Sequence, residues 1–106
     1  WEDDHCVVTH ALAHRSDLEV LRSGSPLDQE GVHRVVWSRT VPDEAPDPQR
    51  THASGHTPLP RVRRDRDRSL IRLDLGAYMG TRLAAWSPEL DRTVSVPCEV
   101  DWTRGG

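Results

Sequence analysis

From Thr93 to Trp102 the even positions Val94, Val96, Cys98, Val100 and Trp102 are apolar, and the odd ones are polar or Pro. Side chains alternate across a strand, so this period of two predicts a strand with one buried apolar face and with Thr93, Ser95, Glu99 and Asp101 on the other. Upstream, Arg82 to Trp86 predicts a second strand, joined to the first as a hairpin through Ser87–Asp91. Pro97 cannot donate to a ladder, which puts it at a sheet edge or a bulge. Ser69 to Leu75 alternates too, with Ile71, Leu73 and Leu75 opposite Arg72 and Asp74. The β-rich run Val32–Val41 places His33, Val35, Trp37 and Val41 on one face and predicts a further strand.

Residues 3–22 fit two patterns. As a helix, Val7, Ala11, His14, Leu18 and Leu21 form a stripe, with Asp3 or Asp4 at the start and Gly24 at the end. As a strand, Cys6, Val8, His10 and Leu12 share a face. The C-terminal hairpin needs sheet partners, which favours a strand over 6–13 and a shorter element over 17–22. Ser16-Asp17-Leu18-Glu19 has capping-box spacing and marks a break near Ser16. Pro26, Asp28 and Glu30 fit a helix start, but Gly31 interrupts any helix there.

Residues 42–60 contain Pro42, Pro46, Pro48, Pro58 and Pro60 among polar residues and read as one long loop. Loops longer than about 12–15 residues are uncommon in compact domains. Such a segment gains order only if the domain body or a neighbouring chain holds it. The pattern as a whole predicts a mainly β single domain over 1–106, a small antiparallel sheet or sandwich of five or six strands. To it are added the Pro-rich loop 42–60 and room for one short helix near residues 16–30.

Composition narrows the chemistry more than the fold. A 106-residue chain buries roughly two-thirds of its unfolded surface, and with 35% hydrophobic residues and no Phe the core must rest on Val, Leu, Ala and the four Trp. A net charge of −3 argues neither for nucleic acid nor for a membrane surface. All 14 basic residues are Arg, and together with abundant Ala and Pro this points to a GC-rich source genome, bacterial or viral. No apolar run approaches the roughly 20 residues of a membrane span, and the residues from Trp1 onward do not form a signal peptide. A soluble chain is the expectation.

Three groups of residues could carry function. Arg61, Arg63, Arg64, Arg66 and Arg68 fall within eight positions, suited to acidic protein partners or to phosphate backbones. Asp65 and Asp67 cut that local charge and can pair with their neighbours. Cys6, His10 and His14, spaced by four, line one face of a helix and offer metal ligands, with His52 and His56 as further donors. On a strand the same spacing spreads them by roughly 13 Å per four residues, too far for one ion. Cys6 and Cys98, if paired in an oxidising compartment, close a loop of roughly 90 residues and contribute about 4–5 kcal/mol. If unpaired they are two small apolar thiols.

No GxSxG, HExxH or phosphate-cradling Gly-rich loop occurs, so the expectation is a protein that is not an enzyme and has no cofactor. The leading expectation is a structural or protein-interaction module, a homo-oligomer or a subunit of a larger assembly such as a phage or virus particle. In that reading the Arg run and the Pro-rich loop contact neighbours. A nucleic-acid-binding protein using Arg61–Arg68 and a small metal-binding protein using Cys6, His10 and His14 are the alternatives.

Overall fold

The computed structural model describes residues 1–98. Its architecture is mixed α/β rather than mainly β: a four-stranded sheet, two helices on the connection between its first two strands, and a separate two-stranded hairpin. The large sheet has the order β1-β2-β4-β3, built from β1 (Cys6–Thr9), β2 (Thr51–Ser54), β3 (Arg63–Asp65) and β4 (Leu70–Arg72). Strands β1, β2 and β4 run parallel and only β3 is antiparallel, against the expectation of an antiparallel sheet. Parallel neighbours need a long crossover, and residues 10–50 supply it with α1 (Arg15–Arg22) and α2 (Gln29–Trp37).

The strand expected over 32–41 is therefore wrong. Asp28 caps α2 by accepting the Gly31 N–H at 2.7 Å, and Gly31 lies inside the helix instead of breaking it. The β-branched residues there stay helical because Val35 packs on the core formed by Val7, Ala13 and Leu18, and such packing outweighs a weak propensity. The strand predicted over 6–13 ends at Thr9, after which Ala11, Leu12 and Ala13 are buried in the turn leading to α1. That helix begins one residue before the expected break, at Arg15. His14 is its N-cap, and the N-terminal acid is Asp17, which accepts the His14 N–H at 2.9 Å.

Within the expected loop 42–60 lies β2, a central strand of the sheet. Thr-His-Ala-Ser carries no apolar signature, yet His52, Ala53 and Ser54 are all buried. The rest of the Pro-rich segment is held by the domain body. Asp47 accepts the Gln49 and Arg50 N–H groups and pairs with Arg22 and Arg50, while Arg15 donates to the Ala45 carbonyl at 2.9 Å.

The predicted C-terminal hairpin is present as β5 (Arg82–Ser87) and β6 (Arg92–Pro97), with Pro97 at the end of its strand opposite Arg82. Val100 and Trp102 lie outside the described residues. Its apolar face does not point into a core. Leu83 pairs with Val96 and Ala85 with Val94, and Leu83, Val94 and Val96 are 58%, 67% and 56% exposed. Asp91 in the hairpin turn anchors the unit to β3 through Arg64 (3.4 Å) and to the following turn through Arg66 (2.8 Å). No helix among the described residues is long and apolar enough to cross a membrane.

Candidate metal centre

Three parallel strands end on the same side of the sheet, and the residues that follow them line one cleft of about 400 Å³. After β1 comes His10, after β2 come Gly55 and His56, and after β4 come Leu73 and Asp74. In open α/β sheets ligands characteristically bind outside the carboxyl ends of the strands.

His10 and His56 meet there. Nε2 of His10 lies 3.2 Å from Nδ1 of His56, with ring centroids 5.1 Å apart. The neighbouring backbone sets this approach, because the Gly55 N–H donates to the His10 carbonyl at 2.9 Å and ties the two strand ends together. His56 adopts the left-handed φ of 70°, uncommon for a residue with a Cβ, and Trp37 at the end of α2 packs edge-on against its ring at 5.5 Å. Asp74 receives the Gly76 N–H at 2.9 Å and borders Gly55. Two hydroxyls beside the histidines, Ser54 Oγ and Thr57 Oγ1, are buried without a hydrogen-bond partner. Buried polar atoms are seldom left so, and these two could serve a water or a ligand.

The trio expected from spacing does not converge. Cys6 is buried in β1, where burial and the nearby Asp3 carboxylate push its thiol pKa up. Its placement on a strand removes the helical face that would have aligned it with His10 and His14, and His14 is committed to the start of α1. His52 is a core residue. Thr9 Oγ1 has one proton, which it donates to the Ala11 carbonyl at 2.6 Å, so it accepts from Nε2–H of His52, also at 2.6 Å. The ring is thereby neutral with Nδ1 bare, and burial pushes its pKa down to about 4. Among the described residues no group of three or more His, Cys, Asp or Glu side chains converges on one point.

Cys6 and Cys98 are both free thiols. Cys6 lies in β1, which is hydrogen-bonded to β2, whereas Cys98 follows β6, which pairs only with β5 among the described residues. The Arg run is dispersed as well. Arg64 and Arg66 share Asp91, and Arg68 pairs with Asp65 at 2.9 Å. Arg61 and Arg63 are left exposed, and neither has a carboxylate within 4.0 Å among the described residues. The Asp91 carboxyl falls to about 2, chiefly through the Trp86 indole N–H and Arg66. No continuous positive stripe results.

The chain matches no known family model, no curated protein and no solved structure.

The sequence offers both His10 and His56 as candidate donors, but does not show that these two alone would meet across the 46 residues that separate them. The available signal was weak: each imidazole follows a four-residue segment that becomes a strand, and only the parallel pairing of those strands brings the two together.

Proposed function

We propose that this chain carries part of a divalent-metal centre, with His10 and His56 as two of its protein ligands. The observation that carries the reading is the 3.2 Å separation of Nε2 and Nδ1. Two imidazole nitrogens bound to one ion at about 2.0–2.1 Å and at a tetrahedral angle stand about 3.3 Å apart. Imidazole donors suit zinc, iron, nickel or copper. The remaining positions would fall to water or to a bound ligand. An ion held by His10 and His56 would keep open positions and would supply Lewis-acid chemistry, activating water or polarising a carbonyl or phosphoryl oxygen in the cleft that Ser54 and Asp74 border.

The test is titration of the chain with Co²⁺ and Zn²⁺, read by the visible spectrum of bound cobalt and by calorimetry. Saturable binding should weaken at least tenfold in His10→Ala and in His56→Ala, and should persist in Cys6→Ser and His14→Ala. Equal affinity in all four variants would overturn the assignment.

A second reading, a protein-interaction module, is favoured by one observation: the apolar outer face of the hairpin formed by Leu83, Ala85, Val94 and Val96. Monomeric proteins seldom expose contiguous apolar patches larger than a few hundred Å². Light scattering across a concentration series tests it. Association that Leu83→Glu abolishes supports this reading, and a monomer at all concentrations that captures no partner removes it.

A further inference from the structure

The antiparallel register of β3 and β4 sets Arg63 directly opposite Arg72. Residues opposed in this way point to the same face, where like charges repel. Neither guanidinium has a carboxylate within 4.0 Å among the described residues, although Arg64, Arg66 and Arg68 each have one. Arg72 is half-buried, and both that burial and the charge of Arg63 hold its pKa below the usual arginine value. The pair opens onto a groove of about 630 Å³, within the size range of small-molecule sites. Its apolar wall is Val41, Leu59 and Leu70. Asp65 and Asp67 also border it, but Asp65 is engaged by Arg68 and by the turn N–H of Arg68.

We infer that this groove is a binding site for a small oxyanionic ligand with an apolar body, its phosphate or carboxylate held between Arg63 and Arg72. Guanidinium groups match the planar, two-point geometry of such anions, and an anion between them converts a repulsive contact into two charge-assisted hydrogen-bond pairs. The two aspartates at the rim disfavour a polyanion, which would have to pass them along its length. Within the run of arginines, Arg63 thus acts with Arg72 on the neighbouring strand instead of with Arg61 and Arg68. The site is separate from His10 and His56 and does not depend on a metal there.

The experiment titrates the intact chain with AMP, inorganic phosphate and benzoate, each in the presence of a chelator so that no ion at the histidines contributes. Binding is read by calorimetry and by the rise in melting temperature. Saturable binding of at least one probe, weakened tenfold or more in Arg63→Gln and in Arg72→Gln but unchanged in Arg61→Gln, is the expected result. Phosphate against benzoate distinguishes a phosphate from a carboxylate site. Circular dichroism establishes that the variants fold, and relief of the repulsion should leave their melting temperatures at or above that of the parent. No saturable binding of any probe at millimolar concentration would overturn the inference. So would an equal loss in Arg61→Gln together with salt-sensitive binding of a single-stranded oligonucleotide, which would point to a diffuse nucleic-acid surface.

Discussion

Asp17 on α1 and Arg34 on α2 form a two-point ion pair, with Nε to Oδ2 at 2.8 Å and Nη2 to Oδ1 at 2.6 Å. The carboxylate is 2% exposed and also accepts the His14 N–H, so one side chain caps α1 and fastens it to α2. Burial alone would raise the Asp17 pKa. The hydrogen bonds from Arg34 and His14 and the Arg34 charge outweigh that, leaving it below the usual value.

Replacing Asp17 by Ala should therefore destabilise the fold by about 2–3 kcal/mol in urea unfolding. That is below the loss of about 3–5 kcal/mol seen when a fully buried pair is broken, because the Arg34 side chain keeps 26% exposure and can return to water. The double variant Asp17→Ala/Arg34→Ala should be less destabilised than the sum of the two single changes. Strict additivity would show that the pair is not coupled.

Gly31 tests how tightly that ion pair is packed. A Cβ at this position would lie 3.1 Å from Asp17 Oδ1, 3.1 Å from Asp28 Oδ1 and 3.1 Å from Leu27 Cδ2. In an open helix Gly→Ala gains about 1 kcal/mol of propensity. Here both carboxylates are pinned, Asp17 by Arg34 and Asp28 as the α2 cap, so crowding should win. Gly31→Ala is expected to lose about 1–2 kcal/mol, in the range of core overpacking, and a higher melting temperature would refute the expected sign.

His52 should make stability fall on mild acidification. Its pKa is about 4 in the folded chain and about 6.5 when unfolded. Between those values the unfolded state binds a proton that the folded state does not, so the contribution of neutral His52 is present above about pH 6.5 and is lost as pH falls towards 4. Asp17 and Asp47, whose folded pKa values are lowered, lose their contributions only below about pH 4. Thermal unfolding from pH 7 to 4.5 should show a declining midpoint, and His52→Leu should flatten that decline. A parent midpoint that is constant over the range would contradict the buried, neutral imidazole.

The outward apolar face of the hairpin yields the opposite kind of expectation. Val96→Thr and Leu83→Thr should change unfolding free energy by no more than about 0.5 kcal/mol, as for exposed sites, whereas Ile71→Ala, at 1% exposure, should cost about 2–5 kcal/mol. A loss of several kcal/mol at Val96 would mean that the hairpin face belongs to the core.

Local chemistry by itself determined the elements whose signal does not depend on a neighbour. The strands expected within Ser69–Leu75, over Arg82–Trp86 and from Thr93 onward are present as the shorter Leu70–Arg72 and as Arg82–Ser87 and Arg92–Pro97, and a short helix near residues 16–30 was expected. Tertiary structure decided the rest. It made 29–37 a helix by supplying Asp17 for Arg34 and a core for Val35, and it placed Thr51–Ser54 at the centre of a parallel sheet despite a polar sequence. It also turned the most regular apolar face outward. Periodicity reports that residues share a face, and only packing selects which face is covered. The His10–His56 and Arg63–Arg72 pairs follow the same rule: each joins residues that the chain keeps apart and that strand register brings side by side.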